Sequence, residues 1–416
     1  MRPAGLDIRR SERVNGTATA RPGPAERGGA MRRDDLGARD DWEAKAEAAG
    51  FTFHHLDGAL YWDESAAYAF TLDQIETGLE APAEELHAMC REAVAEIVAS
   101  QELMERLCIP EPHRDLVADS WRSEDPELYG RMDFAYGAGG PAKLLEYNAD
   151  TPTTLYETSG FQWHWLEDMI AAGRLPQDAD QFNGLHEALV ARLSEMFAPG
   201  TDIHFAAFAD APEDYATVET IGWAAREADM GAHFTDIRKI GVTDAGQFSD
   251  AEDRVIGTLF KLYPWEDMLR DDFADAIAGA GCRMLEPAWK ALVSNKGILP
   301  VLWRMFPGHP NLLASVFADE EAGGLGDAVV EKPVFSREGA GVRIRGAGLD
   351  ESSADTGYDA HPRILQTYAP LPRFGDDHAV CGVWLVGRQA HGLGIREDTS
   401  RITQDTSRFR PHYIME

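Results

Sequence analysis

Two short segments constrain this chain more than any other part of it. Tyr129-Gly-Arg-Met-Asp-Phe-Ala-Tyr136 and Leu144-Leu-Glu-Tyr-Asn-Ala-Asp150 each read as a strand, with Gly137-Ala-Gly-Gly140 as the turn between them. Side chains alternate between the faces of a strand, so Arg131 and Asp133 share one face while Met132, Phe134 and Tyr136 take the other. On the return strand Glu146 and Asn148 share a face, opposite Leu145 and Tyr147. The expected product is a ribbon with an apolar side and a side bearing Arg, Asp, Glu and Asn. Clustered oxygen ligands suit a hard cation such as Mg2+, and a nearby Arg suits phosphate. The same alternation also describes an ordinary amphipathic ribbon with a solvated charged face.

The frame around this ribbon is large. A chain of 416 residues exceeds one small core and predicts two or three lobes. No apolar run approaches the ~20 residues that span a bilayer. The formal net charge of −32 argues against nucleic-acid binding through a general basic surface and is compatible with attracting a cationic substrate. Cys90, Cys108, Cys282 and Cys381 are far apart and form no zinc-type spacing, which suits reduced thiols in the cytoplasm. Residues 1–33 are expected to be a disordered extension, or an upstream start ahead of a true beginning at Met31, because the stretch is rich in Arg, Gly, Pro and Ala and has no apolar period or secretory core.

Helices are predicted over Asp41 to Gly50, Glu84 to Leu107 and Asp178 to Phe197 from apolar recurrence at helical spacing. Asp202 to Phe208, a helix through Ala228, and Val255 to Pro264 give a strand–helix–strand order typical of an α/β lobe. Beyond about Pro287 the pattern becomes antiparallel. Ala328 to Pro333 is expected to pair with Gly341 to Arg345. Ala379 to Val386 is expected to pair with Gln389 to Arg396 around Gly387-Arg388.

Within this second half, Glu331-Lys-Pro-Val-Phe-Ser-Arg-Glu-Gly-Ala-Gly-Val342 joins a strand ending in Lys332 to a loop carrying Gly339 and Gly341. Glycines let backbone N–H groups approach phosphate oxygens closely, although the same pattern is also that of a plain turn. Lys296 stands in a loop upstream. Arg363-Ile-Leu-Gln-Thr-Tyr-Ala-Pro370 could present backbone groups to an adenine edge or be a simple core strand. Arg396 could reach an anion or belong to a solvated basic tail.

Taken in order, Arg131-Met-Asp-Phe-Ala135, Glu146-Tyr-Asn-Ala-Asp150, Tyr263-Pro-Trp-Glu266, Asn295-Lys296, Lys332-Pro333 with its glycine loop, Gln366, Gly394-Ile-Arg396 and Ser407-Arg-Phe409 resemble the synthetase domain of the glutathionylspermidine synthase family, from about residue 34 to the end. The resemblance implies an α/β (α+β) fold of the ATP-grasp type with a pre-ATP-grasp lobe. The substrate lobe and metal ribbon would occupy 34–286, and the nucleotide lobe with the C-terminal strands 287–416. It implies ATP and Mg2+ as cofactors, with Asp133, Glu146 and Asn148 holding the metal. Lys296, Lys332, Gly339 and Gly341 would grip phosphates, Gln366, Tyr368 and Ala369 would lie along the adenine, and Arg401, Ile402 and Thr403 would line the nucleotide site. Arg131 and Arg396 would act on the transferred group.

The activity implied is amide formation: a carboxylate takes the γ-phosphoryl group of ATP, and an amine displaces phosphate from the acylphosphate. The expected partners are a peptide-like acid and a polyamine-like amine, with no nucleic acid and no membrane. Glutathionylspermidine synthesis itself is a narrower alternative, and a non-catalytic ATP-binding regulator is a different one. The chain also departs from the glutathione-using pattern. Thr151 and Thr153 stand where two serines are expected, and Leu262 stands where a hydroxyl is expected. Glu213 and Asp214 align loosely with residues that meet the substrate's amino end. Nothing before residue 31 is expected to fold as the amidase domain of some members.

Overall fold

The ribbon forms, with one irregularity that changes which residues share its faces. In the computed structural model, which describes residues 31–415 apart from positions 57, 138, 355 and 356, Tyr129–Ala135 runs antiparallel to Lys143–Asn148. Arg131 lies opposite Asn148 and Asp133 opposite Glu146. A β-bulge between Asp133 and Phe134 then shifts the register, so that Phe134 pairs with Leu144. The extra residue re-aims the strand. Leu144 therefore joins Met132, Phe134 and Tyr147 in the main core, whereas Leu145 turns to the polar side beside Ala135 and Val380. This corrects the expectation that Leu145 would share the apolar face with Tyr147. Met132 and Phe134 are fully buried, which stabilises the fold by about 1.5–3 kcal/mol for each such side chain.

The ribbon is half of a larger sheet. Tyr129–Ala135 also pairs with Asp377–Val386, which pairs with Gln389–Asp398 and through it with Arg408–Arg410. The sheet thus joins strands from both sides of residue 287, so the expected 34–286 and 287–416 segments share one hydrogen-bonded layer. At the N-terminus, Arg32–Asp34 pairs with Ala67–Phe70, and Arg33 reaches the fully buried Glu397 at 2.8 Å. The frame therefore takes up residues 32 and 33, ahead of the boundary expected at 34, through their strand pairing with Ala67–Phe70 and the Arg33–Glu397 ion pair. The remainder of the expected extension, residues 1–30, lies outside the described residues, as does Ala138 of the ribbon turn.

A parallel sheet in the order Arg283–Leu285, Thr258–Lys261, Asp202–Ala207, Gly231–Asp236 forms the second layer. The chain leaves Asp202–Ala207 outward through the helix Pro212–Glu227 and returns on the other side as Thr258–Lys261. That reversal opens a crevice at the carboxyl ends of those two strands, where ligands of open α/β sheets bind. The third layer is an antiparallel five-stranded sheet in which Ala328–Pro333 sits between Arg343–Gly346 and Arg363–Thr367. Both antiparallel pairings expected from the sequence are present.

Two helices differ from their expected ranges. The expected Glu84 to Leu107 helix is Ala81–Val98 followed by Gln101–Arg106, restarted by Ser100, whose hydroxyl accepts from Leu103 N at 3.2 Å. The Asp178 to Phe197 helix begins only at Leu185, since Asp180 bridges to Ile414 and Asn183 to Gly392.

Buried ion pairs fix the layers to one another. Asp150, at the end of the ribbon, meets Lys261 at 2.7 Å and accepts from Trp265 N at 2.8 Å, with both charged side chains fully enclosed. Glu286 accepts from the N–H groups of Leu128 and Tyr129, and Lys290 donates to Tyr129 O at 2.9 Å. The ribbon is thereby anchored at its entry and exit. All four cysteines are free thiols. Among the described residues no helix is long and apolar enough to cross a membrane.

Candidate active site

The polar face of the ribbon is a closed set of charge-assisted contacts. Arg131 donates to Asp133 through Nε at 2.7 Å and Nη2 at 3.0 Å, and to the Thr153 carbonyl at 2.6 Å. Asn148 Nδ2 bridges Asp133 at 3.0 Å and Glu146 at 3.2 Å. Glu146 meets Lys296 at 3.0 Å. Lys296 also donates to the Ser336 carbonyl at 2.7 Å. Lys332 donates to the Leu145 carbonyl and to Gln366 Oε1, each at 2.8 Å. Oxygen donors from the early ribbon and lysines from the late strands thus meet in one place.

Local sequence explains the fit. Gly382, on the strand beside Arg131, leaves room for that side chain, since a Cβ there would lie 2.8 Å from Arg131 Cδ and 3.2 Å from Asp133 Oδ1. Gly339 adopts φ +69°, and a Cβ on it would lie 2.3 Å from the Thr403 carbonyl, so the glycine loop packs directly onto the 401–404 segment.

Electrostatics follow from burial against paired charge. Burial pushes the Glu146 carboxyl up, but Lys296 and Lys332 outweigh it and hold it at about 2. Burial lowers Lys332 to about 8; Glu146 opposes that shift and Lys296 adds to it. Asp133 is raised by burial, with Arg131 pulling the other way. Each charge here therefore depends on its neighbours.

These groups wall a cavity of about 350 Å3. It is bounded by the ribbon residues Arg131, Asp133, Glu146 and Asn148, and by Thr151 and Thr153 just beyond. The late half contributes Lys332, Gly339, Gln366, Tyr368, Ala369, Arg396, Arg401, Ile402 and Thr403, and Asp214 closes the substrate-lobe side. Val330, Ile344 and Leu371 give one end an apolar lining suited to a flat ring. Three of the expected residues stand behind the wall. Lys296 touches the site through Glu146. Gly341, at φ +67°, turns its carbonyl to Arg363. Glu213 sits in the first turn of the helix Pro212–Glu227 and acts on its neighbours by charge. Arg396 lies over the Tyr61 ring and donates to the carbonyls of Gln404, Asp405 and Ser407, which holds the 404–407 strap against the cavity. Arg401 is paired with Glu351.

The substrate-lobe end is acidic. Asp214 is lifted to about 6 by burial and by Glu213. Behind the cavity wall, the fully buried Glu157, in a π-turn over Glu157–Phe161, is lifted to about 7 by burial and by Glu213, and accepts from the Tyr61 hydroxyl. Sequence reasoning missed Glu157, as well as the Arg337–Glu266 pair at 3.1 Å that links the glycine loop to the substrate lobe. An arginine inside a glycine loop was the available signal for that pair. Gly382, in mid-strand, offered none.

The donor set suits Mg2+. Among the described residues no three His, Cys, Asp or Glu side chains converge as a cation cage. The ribbon instead offers two carboxylates and one amide, and Mg2+ commonly takes one or two carboxylates while keeping its other positions for water and substrate phosphate.

Known proteins resemble this chain along most of its length. A family profile described as glutathionylspermidine synthase preATP-grasp matches residues 33–415. A Haemophilus influenzae protein, provisionally named an acid–amine ligase, is 36% identical over 395 residues, covering 91% of this chain and 98% of that one. Trypanothione synthetase of Crithidia fasciculata is 27% identical across 78% of this chain, which spans 53% of that enzyme. The bifunctional glutathionylspermidine synthetase/amidase of Escherichia coli is 24% identical across 90% of this chain, which spans 63% of it. In structure, a glutathione synthetase-like effector from Globodera pallida superposes with a TM-score of 0.55 at 11% identity, covering 91% of this chain and 99% of that one, a likeness of fold. The expected ATP-grasp type of α/β architecture is the one observed, and the chain belongs to the glutathionylspermidine synthase family.

Proposed function

We propose that this chain is an ATP-dependent acid–amine ligase that joins a peptide-like acid to a polyamine-like amine and releases ADP and phosphate. The observation that carries the reading is the meeting of Glu146 with Lys296 at 3.0 Å, with Glu146 and Lys332 both in the wall of a cavity that Asp214 closes on the substrate-lobe side. A carboxylate oxygen of the acid forms a bond to the γ-phosphorus while the bond from that phosphorus to the bridging oxygen breaks, and ADP leaves with the electron pair. The amine nitrogen then bonds to the acyl carbon, phosphate leaves with the former carboxylate oxygen, and a primary ammonium gives up two of its three protons, the third staying on the amide nitrogen.

Each part of the site has a task in this scheme. Lys296, Lys332 and Arg396 offset phosphate charge, and Arg131 orients the acyl and phosphoryl oxygens. Asp133, Glu146 and Asn148 would hold Mg2+, which supplies further charge neutralisation when bound. The apolar end takes the adenine alongside Gln366, Tyr368 and Ala369. The glycine loop and the 404–407 strap packed on the cavity exclude water, to which an acylphosphate is otherwise lost. Asp214 offers a carboxylate to a cationic amine and, near 6, is matched to accept a proton from it at neutral pH.

The test is ADP and phosphate release by the purified protein against a panel of acids and amines. Release that needs one of each supports the reading, whereas tight ATP binding with no turnover for any pair would replace it with a regulatory role. Amide formation from glutathione and spermidine would narrow it to glutathionylspermidine synthesis. A pH profile probes the amine end. Below about pH 6 Asp214 gains a proton and loses its charge, so kcat/KM for the amine is expected to fall on the acid side. Asp214 is faced by Glu213, Arg337 and Glu338, none of which Asp214→Asn removes. That variant is expected to lose the acid limb, and an unchanged limb excludes Asp214 as the proton acceptor.

A further inference from the structure

Ser336 is the buried polar side chain whose situation the site as described does not account for. It is 8% exposed and faces the cavity, and its hydroxyl neither donates nor accepts a hydrogen bond within the protein. A buried hydroxyl without a partner is destabilising, and such groups in native folds call for an explanation. Its backbone, in contrast, is pinned on both sides. The Ser336 carbonyl accepts from Lys296 Nζ at 2.7 Å, and Lys296 N donates to the Val334 carbonyl at 2.9 Å. The next residue, Arg337, is held by Glu266 at 3.1 Å. The hydroxyl therefore stands on a fixed segment between the lysine that meets Glu146 and the arginine that ties the glycine loop to the substrate lobe.

The neighbours select the ligand. Lys296 and Arg337, each paired with a carboxylate, flank Ser336, and Lys332, Arg131 and Arg396 line the same cavity, so its hydroxyl proton faces a space walled by cations that suits an anion. We propose that Ser336 Oγ donates a hydrogen bond to a non-bridging oxygen of the phosphoryl group as it passes from ATP to the acid. This makes Ser336 a catalytic residue of the ligase reaction proposed above, on which the inference rests. The serine keeps its proton throughout. The bond that forms joins the acid's carboxylate oxygen to phosphorus, the bond that breaks releases ADP, and the hydroxyl stabilises charge on the transferred group as that exchange occurs.

Purified Ser336→Ala and Ser336→Thr full-length chains test this against the wild type, with an acid and amine pair that supports ADP release. Ser336→Ala removes a group with no partner in the protein, so its melting temperature is expected to equal or exceed the wild-type value. Its kcat is expected to fall roughly 10- to 100-fold with KM for the acid little changed, and Ser336→Thr, which keeps a hydroxyl, is expected to recover most of the rate. Wild-type kcat in Ser336→Ala overturns the inference while leaving the ligase reading intact. A rate loss matched by a lowered melting temperature assigns a structural role instead, and a rise confined to KM for the acid moves the contact to the substrate carboxylate; either result overturns the phosphoryl contact. Absence of ADP release by the wild type for every pair overturns the ligase reading and this inference with it.

Discussion

Glu146→Gln is expected to reduce ligase turnover roughly 10^3-fold, about 4 kcal/mol of transition-state stabilisation, with the fold retained. The side chain keeps its size and its bond from Asn148, but three charge relations are lost at once. In the scheme proposed here it ceases to be an anionic ligand for Mg2+. Lys296 loses its 3.0 Å partner. Lys332, which burial already lowers to about 8, loses the carboxylate that opposes the shift, and Lys296 goes on pushing in the same direction. The sign is therefore fixed. A lysine that must be charged works below its pKa, so wild-type kcat/KM for ATP is expected to decline as pH rises through about 8, and in Glu146→Gln that decline moves to lower pH. Steady-state kinetics from pH 6 to 9, paired with ATP binding with and without Mg2+, checks both halves. Near-wild-type turnover in the variant removes Glu146 from the metal site, and an alkaline limb that stays in place dissociates it from Lys332.

Arg131→Ala carries the second large effect, and this one reaches stability as well as rate. Arg131 holds Asp133 through two hydrogen bonds and donates to the Thr153 carbonyl, with side-chain exposures of 14% and 12% for the pair. Removing the cation leaves a carboxylate in a low-dielectric setting with Asn148 as its remaining donor. Breaking a buried pair in this way costs about 3 kcal/mol or somewhat more. Asp133 is already raised by burial with Arg131 as the main opposing influence, so its pKa rises further in the variant. Deprotonated Asp133 is the form able to bind a cation, and residual activity of Arg131→Ala is therefore expected to climb with pH and to need more Mg2+. Arg131→Lys keeps a charge beside Asp133 but loses the two-pronged geometry, and is expected to regain stability more fully than rate. Urea unfolding together with Mg2+ titration of turnover separates the two contributions. A variant as stable as wild type would show that Asp133 does not depend on Arg131.

The sequence went far toward the site because the chemistry is concentrated in short, ordered motifs. Alternation in Tyr129–Ala135 placed Arg131 and Asp133 on one face, and the strand ending in Lys332 ahead of two glycines singled out a segment of which Lys332 and Gly339 line the cavity. Alternation failed at Leu145 because the bulge at Asp133/Phe134 leaves Leu145 without a partner in the register, an insertion that the polar–apolar pattern does not announce. The helix expected from Asp178 began late for a similar reason, since Asp180 and Asn183 found backbone partners more than two hundred residues away. Glu157 escaped notice because nothing near it in sequence announces that Tyr61 and Glu213 converge on it.

The sequence by itself determined which residues can carry charge and oxygen donors, the strand or helix character of most segments, and the family. Only the tertiary structure decided that Glu146 meets Lys296, that Asp150 locks onto Lys261 beneath the cavity, and that Ser336 presents an unpaired hydroxyl there. The physical reason is that local patterns fix backbone period and side-chain polarity. The strength of a buried charge, by contrast, is set by partners brought within about 3–4 Å from elsewhere in the chain, and sequence spacing does not encode those distances.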